Sequence, residues 1–171
     1  RALTRLGCNM LTAHAAGGTV MLRELANAVS DESRKIGRPA PTVLAVTVLT
    51  SMNQRQLEED MLIRDMLVRD AAVRFAGRAQ SAGVDGVICS ASETAAVRAV
   101  CGQDFKIVTS GIRPTWYGSN DQKRINTPYE AIKRGADYVV MGSPITRAAH
   151  QVAAAHTIAE EIECALTGSD I

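Results

Sequence analysis

Short, nearly continuous apolar runs alternate along this chain with longer segments whose apolar residues recur every three or four positions. Residues 9–13 form the first run, which reads as a short strand. The turn His14-Ala15-Ala16-Gly17-Gly18 follows, then a helix over 19–29 and a polar, proline-containing connection over 34–41. Residues 43–49, VLAVTVL, are almost all apolar, as a strand buried on both faces of a parallel sheet would be. Thr50-Ser51-Met52-Asn53 closes that strand, a short acidic helix is expected around 57–61, and Val68, Ala72, Phe75, Ala76 and Ala79 repeat at helical spacing until Gly83.

The alternation continues with shorter links. Residues 86–89 read as a strand, Ser90 with Glu93 as a capping box, and 94–100 as a helix. Residues 105–109, FKIVT, are rich in β-branched side chains and stop at Ser110-Gly111. Thr127-Pro128-Tyr129-Glu130 opens a further helix, a capping box with proline at the first helical position, and Gly135 closes it. A strand over 138–141 ends in Gly142-Ser143-Pro144, a last amphipathic helix covers 148–166, and the tail from 167 is expected to fray. Five strands, each followed by a helix, argue for an α/β protein with parallel strands.

The loop after the fourth run carries the first chemical suggestion. Gly111 lets backbone approach a ligand closely, and Arg113 offers a planar fork of donors suited to phosphate or carboxylate. Beyond Pro114 come Trp116, Asn120, Asp121, Gln122, Lys123 and Arg124, a stretch dense in polar donors that reads either as a phosphate-site mouth or as a solvated loop. Trp116 and Tyr117 are candidates for a lid over a ligand or for plain surface packing.

Composition narrows the class. The chain has 171 residues and a net charge of +1, which suits one domain and offers no electrostatic footprint for nucleic acid or an acidic membrane surface. Cys8, Cys89, Cys101 and Cys164 are scattered without a C-x-x-C pair, so neither disulfide framework nor metal site is expected, and reduced thiols in a cytosolic protein are the natural state. No apolar run approaches membrane-spanning length and no signal sequence is seen. Residues 1–7 read as the last turns of a helix capped by Gly7, a helix whose beginning is expected further upstream.

Two architectures fit: an open doubly wound sheet and a β/α barrel. In a barrel, functional groups follow the C-terminal ends of strands, with a phosphate site often built by the loops after the last two. Here those loops are Gly111-Ile112-Arg113 and Gly142-Ser143. A barrel closes with eight strands, so three would lie upstream, and residues 1–171 would be a single domain, the later part of an incomplete β/α (TIM-type) barrel comprising strands four to eight.

The segments VLAVTVLTSM (43–52), AGVDGVICSA (82–91), FKIVTSGIRP (105–114), DQKRINTP (121–128) and ADYVVMGSPIT (136–146), with HAAGG at 14–18, resemble the later part of bacterial orotidine 5′-phosphate decarboxylases. The resemblance runs in order over nearly the whole chain. It implies a β/α barrel, a cytoplasmic homodimer with active sites at the subunit interface, and cofactor-free decarboxylation of orotidine 5′-monophosphate to UMP in pyrimidine biosynthesis. It also implies that Thr50 contacts the pyrimidine, that Arg113, Gln122 and Gly142 bind the nucleotide, with Gln122 reaching the phosphate, and that Ser143 stands in the phosphate loop.

Two departures accompany it. The family's Asp-x-Lys-x-x-Asp motif is absent, together with the aspartate and lysine of the first two strands, so no catalytic residue is assigned in this chain and the fragment alone is expected to be inactive. Ser143 stands where the family usually has a phosphate-clamping arginine; Arg147, one helical turn on, or Arg124 would then partly replace it. Two other readings stay open, a sugar-phosphate decarboxylase or aldolase of the same superfamily and a non-catalytic or truncated phosphate binder. Asp85 and Asp137, which precede strands, read as structural, Ser90 as a helix cap, His14 as a histidine hydrogen-bonded within its glycine turn, and His150 and His156 as surface residues.

Overall fold

The computed structural model describes residues 1–117 and 126–168. Five strands, β1 (Met10–His14), β2 (Thr42–Val46), β3 (Gly86–Ser90), β4 (Lys106–Ser110) and β5 (Tyr138–Val139), form one sheet. All neighbours are parallel and the spatial order is β1-β2-β3-β4-β5. That order decides between the two architectures. A doubly wound sheet reverses direction at a switch point, whereas here every crossover advances to the next strand, as barrel winding requires.

The eight α-helices described are α1 (Ala2–Arg5), α2 (Gly18–Ile36), α3 (Gln54–Glu59), α4 (Val68–Ser81), α5 (Thr94–Cys101), α6 (Pro128–Lys133), α7 (Ser143–Thr146) and α8 (Gln151–Thr167), with a single 3-10 turn at Ala15–Gly17. Alternate strand residues Leu11, Val43, Ala45, Val87, Cys89 and Ile107 point into one core shared with Leu22 and Val29 of α2, Ala76 and Ala79 of α4, and Val97 and Cys101 of α5. The opposite sheet face is more open: Met10 and Thr12 are exposed and Val46 and Ile88 only half-buried. Gly86 lies on that open face at the start of β3. A β-carbon there would stand 2.3 Å from the Lys106 carbonyl oxygen and 2.9 Å from Leu44 Cδ2.

Several boundaries differ from expectation for identifiable reasons. Helix α2 runs to Ile36 instead of stopping at 29, because Glu32 and Ser33 continue the buried stripe until Gly37, at φ 63°, closes it; the amides of Gly37 and Arg38 donate to Arg34 and Ser33 carbonyls. Ladder pairing of β2 ends at Val46, and Val48 instead joins a small second core with Leu57, Ala71 and Ala72. The acidic helix starts earlier, at Gln54, since Asn53 and Gln56 form a reciprocal capping box. Strand β5 has two residues, and the final helical stretch divides into α7 and α8. The capping box of Thr127 and Glu130, with Pro128 at the helix start, stands as expected.

Candidate functional site

Because all five strands run the same way, the segments that follow them emerge at one rim. From β1 to β5 this rim carries His14, then Thr47 and Thr50, then Ser90 to Glu93, then Gly111 to Arg113, then Gly142 and Ser143. Thr50, Arg113, Gly142 and Ser143 are therefore gathered on one side of the sheet, two of the loops on adjacent strands. Gln122, with Asn120, Asp121, Lys123 and Arg124, lies outside the described residues.

Hydroxyls at the strand ends are tied sideways to the next strand. Thr47 donates both its backbone amide and Oγ1 to the Ile88 carbonyl, each at 3.0 Å. Thr109 Oγ1 donates to the Tyr138 carbonyl at 3.4 Å, and the Val140 amide donates to the Thr109 carbonyl at 2.7 Å. These bonds extend the ladder past its formal end and fix where each loop departs. Thr50 is buried just beyond, at the end of the β2 segment.

After β4, Gly111 adopts φ 71°, a left-handed turn in which glycine is at ease. Ile112 then makes an isolated parallel bridge to Asn126, and the Arg113 amide donates to the Asn126 carbonyl at 3.0 Å. These contacts hold Asn126 beside the segment that follows β4. Arg113 is buried rather than reaching outward: Nη1 donates to the Ile112 carbonyl at 3.0 Å and the guanidinium lies 5.6 Å from the Tyr117 ring centre. Trp116 meets Tyr117 edge-to-face, their ring centres 6.1 Å apart, while its own side chain stays half exposed. Tyr117 is thus the ring against which Arg113 packs, with Trp116 at the edge of Tyr117.

After β5, Gly142 precedes α7 with φ −108°, a value open to any residue, and no described atom lies within 4 Å of a β-carbon placed there. Among the described residues no packing calls for glycine at 142, and the space beside its backbone is open to them on the rim. Its carbonyl accepts the Ile145 and Thr146 amides, both at 2.9 Å. Ser143 is half-buried at the start of α7, and Arg147, whose amide donates to the Ser143 carbonyl at 3.1 Å, is exposed.

Other sequence candidates resolve as follows. His14 is exposed, not enclosed in its turn, and His150 and His156 are exposed as expected. Asp85 and Asp137 are structural: Asp85 accepts the Val43 amide and Asp137 the Ile107 amide, each at 2.7 Å, at the rim where strands begin. Ser90 and Glu93 pair as expected, although α5 itself begins only at Thr94: the Ser90 hydroxyl accepts the Ser92 amide at 3.4 Å and pairs with the Ser92 hydroxyl at 2.9 Å, and the Glu93 carboxylate accepts the Ser90 amide at 3.1 Å. Sequence reasoning paired Glu93 with Ser90 without foreseeing its burial, and it missed Arg98, whose guanidinium joins the Gly102, Gln103, Phe105 and Gly135 carbonyls to Asp137. Nothing in the local pattern around Arg98 announces those partners, which lie across two later loops.

The four cysteines are free, and burial pushes the Cys101 thiol above its ordinary value. Among the described residues no cluster of three potential metal ligands occurs, and no helix is long and apolar enough to cross a membrane.

Comparison with known proteins identifies relatives over nearly the whole chain. Residues 1–158 match the profile of the "Orotidine 5′-phosphate decarboxylase / HUMPS family". The orotidine 5′-phosphate decarboxylase of Syntrophomonas wolfei is 50% identical over 163 residues, covering 95% of this chain and 68% of the relative. The enzyme of that name from Moorella thermoacetica is 48% identical, with 95% and 64% covered. This chain thus spans about two thirds of the length of the curated relatives it matches. Among solved structures, orotidine 5′-phosphate decarboxylase from Lactobacillus acidophilus superposes with a TM-score of 0.77 at 33% identity, covering 94% of this chain and 66% of that one. An uncharacterized conserved protein from Geobacillus kaustophilus gives the same TM-score at 32% identity.

Proposed function

The chain belongs to the orotidine 5′-phosphate decarboxylase / HUMPS family, and from that premise we propose that the full-length protein decarboxylates orotidine 5′-monophosphate to UMP and CO2. The observation that carries the reading is the gathering, at one rim, of a buried threonine after β2, a buried arginine after β4 and an unobstructed glycine after β5. In this reading Thr50 meets the pyrimidine, and Arg113 and Gln122 take the nucleotide's polar tail. The backbone amides of Gly142 and Ser143 complete the phosphate cradle, since bare backbone donors can surround a dianion at close range.

The reaction needs a cation to protonate the carbanion that forms at carbon 6 and carboxylates to destabilise the substrate's own. Lys35 lies on α2, Lys106 at the start of β4 and Lys133 on α6, so none of the described lysines is at the rim. The proton donor and its carboxylates therefore belong, in this proposal, to the part of the relatives' length that this chain does not span. The protein is placed in the cytoplasm as a homodimer, without cofactor, nucleic-acid or membrane partner.

Ser143 supplies a hydroxyl where a second guanidinium would add charge, a difference on the order of one or two charge-assisted hydrogen bonds, roughly 2–3 kcal/mol. Arg147 lies four residues further along, beyond the short helix α7, and takes over part of that attraction. Arg147→Ala in the full-length protein should weaken UMP binding, and an unchanged affinity rejects that compensation.

The assay for the whole reading is CO2 release by the full-length protein from orotidine 5′-monophosphate, run beside a hexulose phosphate. Turnover of the nucleotide alone supports it. Turnover of the hexulose phosphate alone moves the protein to the sugar-phosphate branch, and phosphate binding without turnover leaves a non-catalytic binder.

A further inference from the structure

Glu93 is a carboxylate that the proposed site does not use, and it is almost wholly removed from water, at 1% exposure. Its Oε2 accepts the Ser90 amide at 3.1 Å. The Ser90 carbonyl in turn accepts the Glu93 amide at 2.9 Å and the Thr94 hydroxyl at 3.4 Å. Both backbone groups of Ser90 are thus held by the two residues that open α5, and Ser90 and Thr94 are fully buried.

Starting a helix does not require this. The boxes at α3 and α6 do the same work with Asn53 and Gln56, and with Thr127 and Glu130, none of which is buried. Burying a carboxyl group is costly unless it is hydrogen-bonded, so enclosing Glu93 at this turn goes beyond what helix initiation demands. What the turn presents is Ser92, an exposed residue whose hydroxyl is tied at 2.9 Å to that of buried Ser90. The turn ends β3, between the Thr50 segment after β2 and the Arg113 loop after β4.

Building on the proposed function, we infer that Glu93 is a positioning residue: it locks the turn of Ser90 to Ser92 so that the Ser92 hydroxyl meets the heterocycle of the bound nucleotide. A hydroxyl both donates and accepts, which suits the alternating carbonyl and N–H edge of a pyrimidine. In the proposed function the phosphate is held by the next two loops, after β4 and β5, so the turn reads the base and not the anion.

The test uses the full-length protein titrated with UMP and, separately, with ribose 5-phosphate, which carries sugar and phosphate but no base. Ser92→Ala should weaken UMP binding roughly three- to ten-fold, the worth of one hydrogen bond, and leave ribose 5-phosphate unchanged. Glu93→Ala should do at least as much with the same selectivity, and Glu93→Gln, which keeps an acceptor for the Ser90 amide, should recover most of the affinity. Equal losses for both ligands would show a merely structural carboxylate, and undiminished UMP binding in Ser92→Ala and Glu93→Ala overturns the assignment. If Glu93→Ala does not fold, Ser92→Ala and Glu93→Gln decide between the same outcomes. An unmodified protein that binds neither ligand defeats the proposed function itself, and this inference with it.

Discussion

The two rims of the sheet use polar residues in opposite ways. Where the strands begin, charge is consumed by the fold: Asp85 and Asp137 each hold a strand-opening amide, Arg98 ties four carbonyls to Asp137, and Arg5 pairs with Glu32 across α1 and α2. Where the strands end, the described polar groups are mainly hydroxyls and backbone, with Arg113 sheltered over Tyr117 and open space beside Gly142. The glycines show the same division. Gly86 at the starting rim is required by the protein's own packing, whereas Gly142 at the far rim is required by nothing described in the protein. The contrast teaches which rim is built to hold the fold and which is left able to hold something else, the division expected of a β/α barrel.

The sharpest way to break the contrast is Arg98→Ala. It strands the Asp137 carboxylate and several carbonyls in a partly buried setting and should cost about 3 kcal/mol, read as a lower urea midpoint, without altering nucleotide affinity of the folded fraction. A loss of affinity at preserved stability would erase the distinction between rims. Gly86→Ala comes next. The new methyl meets the Lys106 carbonyl and must push β3 from β4, a cost of about 1–3 kcal/mol by the same measurement.

Gly142→Ala sharpens the comparison from the other side. Stability should change by no more than about 0.5 kcal/mol, since the added methyl meets no described atom, while UMP binding should fall about ten-fold or more as the methyl enters ligand space. Retained affinity would mean the open space is not used.

The smallest effect concerns acid. The Arg5 hydrogen bond holds the Glu32 carboxyl below its ordinary value of 4.5. The associated stability is present above that ordinary value and is lost as pH falls through the lower folded one. Thermal unfolding followed from pH 6 downward should show Arg5→Ala converging on the unmodified protein in the acid limb; a constant gap would mean that the pair contributes nothing through titration.

How much of this was legible in the chain depends on range. Apolar runs at 43–49, 86–89 and 105–109 and the box at Thr127 carry their own instructions, because strand burial and helix capping act between near neighbours. The two aspartates were readable as structural from their place before strands. The motif order 43–146 sufficed for the family, and the parallel strands put Thr50, Arg113 and Gly142 on one rim. The chain did not indicate that α2 would continue to Ile36, since Glu32 looks solvent-facing until α1 brings Arg5 to it. Nor did it reveal that Arg113 would turn back onto Tyr117, that Arg98 would bind loops up to 39 residues away, or that Glu93 would be enclosed. Local pattern fixes which residues become strand, turn and cap, because those free energies are settled within a few positions. Burial of a charged side chain is settled only when distant segments close around it, and that is where the tertiary structure decided.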